Sequence, residues 1–324
     1  MYDSKHLHIA IASDENYSRF VSSLILSISD HCNDFDKITV HLLSNCISKD
    51  SIERINQDFK DVRIHVKLHD ISNIKNKLGR QITATIAITS YARLFLSDII
   101  DETVDKILYL DTDIIINDDL KELWNINLKD NLVAGCLDIF EGHSAKTNVG
   151  LAKDDPYINA GVLLINLKEW RNKNLIKSFL NFINEKQGKV YHNDQGVINF
   201  VCNKKLKIIH PRYNVHSSLF SHPYDLICKF MSNYYNKMLY EEAITKPAIV
   251  HYTEGFYNRP WKKKCKHPLK NLYLEYSKRG SWSQIPLQKD DRKLNVKILS
   301  WIFLKLGYDK YRLYIKFLGI FKRK

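Results

Sequence analysis

The chain has 324 residues, 44% of them hydrophobic, with 11 Gly and 7 Pro spread along its length. That composition describes one large globular domain, or a domain with an appendage, and excludes a disordered or collagen-like chain. Its six cysteines (Cys32, Cys46, Cys136, Cys202, Cys228, Cys265) include no Cys-x-x-Cys pair. Their scatter excludes a disulfide framework and a cysteine zinc site, and predicts free thiols in a reducing compartment.

The net charge of +13 is compatible with nucleic acid, a membrane surface or a polyanionic substrate. Its distribution narrows the choice: between Lys289 and Lys324, eleven Lys and Arg face three Asp, a local charge of +8. The basic character therefore belongs chiefly to a C-terminal tail. No 18-residue apolar run occurs, so no spanning helix is expected. The start, Met1-Tyr2-Asp3-Ser4-Lys5-His6, has no signal-peptide pattern, and a cytoplasmic location is expected.

In chain order, residues 7–12 predict a buried strand ending at the polar loop Ser13-Asp14-Glu15-Asn16-Tyr17. Phe20, Leu24 and Ile28 recur at helical spacing over 17–31. Residues 38–43 predict a second strand, Ser48 caps a helix over 49–59, and 62–68 alternate as a third strand. This strand–helix alternation predicts an α/β fold with a mostly parallel central sheet flanked by helices. Ligands of such sheets bind at the carboxyl ends of the strands. No Gly-x-Gly-x-x-Gly follows the first strand and no Gly-Lys-Ser/Thr loop occurs, which disfavours dinucleotide oxidoreductases and P-loop kinases.

A helix is predicted over 86–97, followed by one apolar strand over 106–116 that contains Asp111-Thr112-Asp113. Buried carboxylates need a positive partner, and a strand turns residues i and i+2 to the same side. A hard divalent cation between Asp111 and Asp113 satisfies both conditions. Residues 132–138 predict a strand ending in Asp138, 141–156 a mobile polar loop, 159–166 a strand, and 168–185 a helix. His192 to Gly196 open a further helix, 248–251 form a late strand ending in His251, and the core ends near 280. Read singly, Asp14, Asn16, Asn159 and Asp194 are turn or cap residues, Arg93 is a solvated charge, and His251 is a satisfied histidine.

Read together, five stretches carry more. They are Thr89-Ser90-Tyr91-Ala92-Arg93-Leu94, Ile107-Leu108-Tyr109-Leu110-Asp111-Thr112-Asp113, Asn159-Ala160-Gly161-Val162-Leu163-Leu164-Ile165-Asn166, Asp194-Gln195 and His251-Tyr252. In this order and spacing, over roughly residues 7–275, the chain resembles glycosyltransferase family 8, the retaining, metal-dependent sugar-nucleotide enzymes. It looks most similar to the bacterial lipopolysaccharide and lipooligosaccharide galactosyl- and glucosyltransferases.

The resemblance implies a GT-A-type nucleotide-sugar-binding fold over 1–280, followed by a basic, aromatic-rich helical tail over 281–324. It implies Mn²⁺ (or Mg²⁺) on Asp111, Asp113 and His251, and a UDP-sugar, UDP-galactose or UDP-glucose, as donor. Ala12, Ser13, Asp14, Asn16 and Tyr17 would meet the nucleotide, with Thr112 beside it. Arg93, Asn159 and Ala160 would lie along the donor sugar or diphosphate. Gly255 and Arg259 would close on the phosphates, and Asp194, Gln195 and Asp138 would sit at the reaction centre.

The chain departs from the family pattern in two places. The stretch from His251-Tyr252 to Pro260-Trp261 is longer than usual, with Arg259 where a Lys often stands and Lys262 as an alternative phosphate ligand. Gly196 follows Asp194-Gln195 where the family often has a second acid.

Gln195 stands where a covalent mechanism needs a nucleophile, and an amide is a poor one. Same-face attack by the acceptor is therefore expected, with Asp194 orienting the sugar or serving as the alternative nucleophile. Tail positions Leu294, Ile298, Trp301, Ile302, Tyr311, Tyr314, Leu318 and Phe321 fall near helical spacing among Lys and Arg. That pattern predicts docking on an anionic membrane surface at the inner face of the cell membrane, the alternative being a helix packed on the catalytic domain. No nucleic-acid-binding motif accompanies the charge, so no nucleic acid is expected. The expected acceptor is a lipid-linked saccharide. Two competitors remain. A sugar-nucleotide pyrophosphorylase would need a Gly-rich, basic first loop, and a glycan- or sugar-nucleotide-binding protein would lack transferase activity.

Overall fold

The computed structural model describes residues 4–78, 88–139 and 144–317. Its strands are β1 (His6–Asp14), β2 (Lys37–Asn45), β3 (Ile64–Asp70), β4 (Lys106–Leu110), β5 (Ile114–Ile116), β6 (Val133–Leu137), β7 (Ile158–Asn166), β8 (Leu206–Ile208), β9 (Val215–His216) and β10 (Ile249–His251). Seven form the central sheet in the order β3-β2-β1-β4-β7-β6-β8. Within it β1–β2, β2–β3, β1–β4 and β6–β8 pair in parallel, while β7 runs antiparallel to β4 and β6. The mostly parallel sheet read from the sequence is therefore the observed one. A strand with helices on both faces buries both of its faces. Accordingly Leu7, Ile9 and Ile11 enter one core with Val21 and Ile25, while Ala10 and Ala12 enter the other with Tyr91 and Phe95.

The helix Ser18–His31 buries Phe20, Leu24 and Ile28, as their spacing predicts, and Ser48 caps Lys49–Asp58 by accepting from the Ser51 amide at 3.2 Å. Elsewhere the chain breaks elements that the pattern joined. The single strand expected over 106–116 is two strands in two different sheets. β4 belongs to the central sheet, and β5 pairs with β10 in a small sheet ordered β5-β10-β9. At the crossing the Asp111 amide donates to Gly161 O and the Tyr252 amide to Asp113 O, so Asp111-Thr112-Asp113 is the joint between sheets. Shared strand alternation is not what brings the two acids together.

The helix expected over 86–97 consists of Ile88–Ala92, a 3₁₀ turn at Arg93–Phe95 and Leu96–Ile99; residues 86 and 87 lie outside the described residues. The helix expected over 168–185 divides into Leu167–Asn172 and Leu175–Glu185, because Asn174 adopts left-handed backbone (φ 48°). The loop expected over 141–156 contains the helix Ser144–Val149, and its residues 141–143 lie outside the described residues.

After the helix Lys270–Arg279 the chain laces back onto the α/β body. The Ser281 amide donates to Asp58 Oδ1 at 2.7 Å, and Gln288 exchanges backbone hydrogen bonds with Trp261 and Lys263. The C-terminal helix, Leu294–Phe317, is broken at Gly307 (φ 82°). Phe303 stacks on Phe256 with centroids 3.8 Å apart, and Tyr311 meets both rings edge-on. Leu294 and Trp301 of the expected apolar stripe are exposed, whereas Ile302 is buried; Leu318 and Phe321 lie outside the described residues. Among the described residues no helix is long and apolar enough to cross a membrane.

Candidate metal and nucleotide-sugar site

The two sheets meet at the acidic joint. Because β10 pairs with β5 so that His251 lies opposite Ile114, the imidazole arrives beside Asp113. His251 Nε2 stands 3.2 Å from Asp113 Oδ1 and 3.8 Å from Asp111 Oδ2. One ligand atom from each of the three residues lies within 4.8 Å of the others, and this is the one such group among the described residues. Its hydrogen bonding fits a cation. His251 Nδ1 is 2.9 Å from Asn214 Oδ1, an acceptor that takes the Nδ1 proton and turns Nε2 to the acids, as a donor to Asp113 or, once deprotonated, as a ligand for a cation. Asn214 Nδ2 donates in turn to Asn159 Oδ1 (2.9 Å), which also accepts from the Gly161 amide (3.0 Å).

Gly161 completes the cradle. A Cβ there would lie 2.2 Å from His251 Cε1 and 3.0 Å from Asp111 Oδ2, so the β7 backbone passes directly behind the donor set. Gly161, Asn214 and Tyr109 were not among the site residues expected from sequence. A glycine in a strand interior usually marks close backbone approach, and that signal was available for Gly161. Asn214 carried none.

Each acid also has a guanidinium. Arg93, 6% exposed, donates to Asp111 Oδ1 at 2.8 Å and to Asp194 Oδ2 at 3.0 Å. It further bonds Ala160 O and Ser90 O and lies over the Tyr109 ring at 4.3 Å. The solvated charge of the single-residue reading is thus a buried hub. It sits at the start of the 3₁₀ turn Arg93–Phe95, with its side chain held inside by these partners. Arg259 pairs with Asp113 Oδ2, donates to Tyr252 O at 2.8 Å and sits 5.4 Å from the Trp261 ring. Burial opposes ionisation of Asp113, but His251 and Arg259 together hold its carboxyl below the usual range. Burial likewise works against a charged His251, and Asp113 and Asp111 outweigh it, raising the imidazole. Burial pushes Asp194 up to about 6 against the pull of Arg93.

On the far side of Arg93, Gln195 Nε2 donates to Asp138 Oδ2 at 2.8 Å and its Oε1 accepts from the Ala160 amide at 3.0 Å. Both ends of the side chain are therefore held. His216 Nε2 lies 3.7 Å from Asp138 Oδ1, with the imidazole pushed down to about 4 by burial.

Ala12, Ser13, Asp14, Tyr17, Thr89, Ser90, Arg93, Tyr109 and the acidic joint line one open cleft of about 640 Å³ at the carboxyl ends of β1 and β4. Asp14 lines the cleft while its Oδ1 also accepts from the Tyr17 amide at 3.2 Å, so its cap and cleft positions coincide. Asn16 is exposed outside the lining. Gly255, with φ 37°, lies on the loop that carries Arg259, and the alternative Lys262 is engaged with Asp291.

The fold and the acid–acid–histidine group define a GT-A-type glycosyltransferase. The chain belongs to glycosyl transferase family 8, whose model matches residues 8–265. General stress protein A of Bacillus subtilis is 24% identical over 284 residues, 86% of this chain and 96% of that protein. Lipopolysaccharide 1,2-glucosyltransferase of Escherichia coli is 26% identical over 288 residues, 86% of this chain and 80% of its own. The crystal structure of the galactosyltransferase LgtC with donor and acceptor sugar analogs superposes with a TM-score of 0.71 at 26% identity, covering 85% of this chain and 96% of that one.

Proposed function

We propose that the chain transfers galactose or glucose from a UDP-sugar, with Mn²⁺ or Mg²⁺, to a hydroxyl of a lipid-linked bacterial surface glycan, retaining the anomeric configuration and so forming an α linkage. One observation carries the reading. Asp111 and Asp113, grouped with His251, line a cleft that Ala12, Ser13, Asp14, Tyr17 and Arg93 also line. The lipopolysaccharide glucosyltransferase among the relatives supports the acceptor class.

A divalent cation on Asp111, Asp113 and His251 supplies Lewis-acid neutralisation of the charge that develops on the leaving diphosphate. Asn214 keeps the His251 tautomer that leaves Nε2 free to act as a ligand. Arg93 is locked by two carboxylates and two carbonyls, and it offsets the charge of Asp111 and Asp194 and holds both acids in place beside the donor. Gln195, pinned by Asp138 and the Ala160 amide, offers a rigid amide at the sugar and no basic nucleophile. The acceptor hydroxyl then attacks from the leaving-group face, giving its proton to the departing diphosphate. Asp194 orients the sugar through Arg93. The basic C-terminal helix, with Leu294 and Trp301 exposed, lays the enzyme against an anionic membrane leaflet.

Calorimetry with Mn²⁺ and a panel of UDP-sugars identifies the donor. Release of UDP that is lost in Asp113→Ala separates a transferase from a protein that only binds sugar nucleotides or glycans. Gln195→Ala retaining substantial turnover would exclude an obligatory covalent role for that side chain. Liposome flotation of the chain truncated after residue 292 tests the membrane contact, and unchanged binding to anionic vesicles would sink it.

A further inference from the structure

A second cavity lies where the chain returns onto the helix Ser18–His31. Arg19, Ser22 and Ser23, spaced i, i+3 and i+4, share one face of that helix. With Trp261, Tyr273 and the segment 280–287 they line a cavity of about 440 Å³, which has no lining residue in common with the donor cleft. The segment comes close because residue 280 is glycine: a Cβ there would lie 2.7 Å from Ser22 Oγ and 2.9 Å from Asp58 Oδ2. Among the described residues the lining holds one charged group, Arg19, and no acid. Arg19 Nη2 is buried without a hydrogen-bond partner among the described residues, and the guanidinium lies 4.7 Å over the Phe20 ring. An aromatic face eases the charge and leaves the N–H donors unmet.

The acid beside Gly280 is already engaged, since Asp58 Oδ2 accepts from Ser22 Oγ and Oδ1 from the Ser281 amide at 2.7 Å. Ser277 donates to Leu274 O at 3.0 Å. Ser23 and Tyr273 are hydrogen-bonded to each other, so one hydroxyl proton of that pair remains to be given, and Ser283 adds another hydroxyl to the lining. What this set of donors calls for is an anion with several oxygens, and the guanidinium fork matches phosphate geometry. Trp282, Ile285, Pro286 and Leu287 give the cavity an apolar wall, suited to the organic group that a phosphate monoester carries. We propose that this cavity binds a phosphate group, held by the Arg19 fork and by the hydroxyls of Ser283 and the Ser23–Tyr273 pair. Bound there, it fastens the segment that leads into the basic C-terminal helix to the catalytic body. The phosphate comes either from a small soluble molecule or from a phosphomonoester lipid headgroup.

The test is the melting temperature of the full chain in chloride buffer, with inorganic phosphate or glycerol 3-phosphate added at constant ionic strength, for wild type, Arg19→Gln and Arg19→Lys. A ligand of the folded state raises the melting temperature by mass action. Any phosphate taken up by the donor cleft acts equally on all three chains, so the difference between them reports the cavity. Arg19→Gln is expected to bind either phosphate about tenfold or more weakly than wild type. Without phosphate it should melt at or above wild type, because it removes an unsatisfied charge. Arg19→Lys keeps the charge, loses the fork and should fall between them. Cosedimentation with phosphatidylcholine vesicles, with and without phosphatidic acid, separates the two sources. A gain from phosphatidic acid that Arg19→Gln loses assigns the lipid headgroup; an equal gain in both chains, or none, assigns the small soluble phosphate. An equal melting response of wild type and Arg19→Gln to both phosphates, or no response of wild type to either, overturns the site. So does an Arg19→Gln chain that melts well below wild type in chloride alone, since its guanidinium would then be structural.

Discussion

Asn214 offers a sharp test of how the site is held together, because it touches no donor atom of the cation group except through His251. Its Oδ1 receives the Nδ1 proton of His251 at 2.9 Å, and its Nδ2 holds Asn159 at 2.9 Å; the residue is 1% exposed. Asn214→Ala strands a buried ring N–H, at a cost of about 1–3 kcal/mol. Loss of an outer partner of a metal-binding histidine typically lowers metal affinity about 10–100-fold. That range corresponds to about 1.4–2.7 kcal/mol, so the two figures agree. Calorimetric titration of Mn²⁺ at saturating UDP should accordingly give a dissociation constant raised by at least about tenfold. Asn214→Asp keeps the acceptor for the His251 ring N–H, although it buries a negative charge and sets a carboxylate oxygen against Asn159 Oδ1, so it should lose clearly less Mn²⁺ affinity than Asn214→Ala. Wild-type affinity in Asn214→Ala, or an equal loss in both variants, would refute the view that His251 works through a fixed tautomer.

Three further outcomes are expected. Gly161→Ala should lower Mn²⁺ affinity more than about tenfold while leaving the far-ultraviolet dichroism of the sheet intact, since its Cβ would lie 2.2 Å from His251 Cε1 and 2.8 Å from Nδ1. Arg93→Met leaves Asp111 and Asp194 without their shared cation and should reduce unfolding stability by about 3–5 kcal/mol in urea, with Arg93→Lys recovering part of it. The third concerns His41, which bridges His8 and His69 at 3.1 Å on either side across β1, β2 and β3. Burial first, then the neighbouring His8, His69 and Lys67, push His41 down to about 3. A folded value below the unfolded one means that the unfolded chain takes up the proton first. Stability is therefore complete above the ordinary value of 6.5 and falls as pH drops toward 3, by up to about 1.4 kcal/mol per pH unit. His41→Gln, which cannot titrate, should flatten the fall in urea midpoint between pH 7 and 4; an unchanged slope would contradict this account.

Much of the fold was legible because its signals are local. Apolar runs such as 7–12 and 38–43, short and bounded by polar turn residues, read as strands buried on both faces, and Phe20, Leu24 and Ile28 recur at the spacing of one helical face. What sequence periodicity joined, tertiary hydrogen bonding divided. The run over 106–116 is uniformly apolar around its acids, and nothing in its pattern says that Asp111 N is claimed by Gly161 O while Asp113 O serves Tyr252 N. The same holds at Asn174, whose left-handed backbone ends one helix and starts another without a glycine to announce it.

The site divides along the same line. Asp111 and Asp113 are chemically conspicuous, so residue type and spacing pointed to them, whereas His251, read alone as a satisfied histidine, joined them only through the family resemblance. Arg93 was harder, because an arginine on a helix is usually solvated and only a family resemblance placed it at the donor. Its burial follows from charge balance: the buried Asp194 and the partly buried Asp111 flank it, and the guanidinium pairs with both. Asn214 lay beyond reach altogether. A residue that acts by orienting another has no composition or periodicity of its own, and it is recognised only when the imidazole it holds is seen facing the acids. Asn214 thus differs from Asn159 and Gln195, which lie in stretches that the resemblance covers, and its role emerges only from the fold.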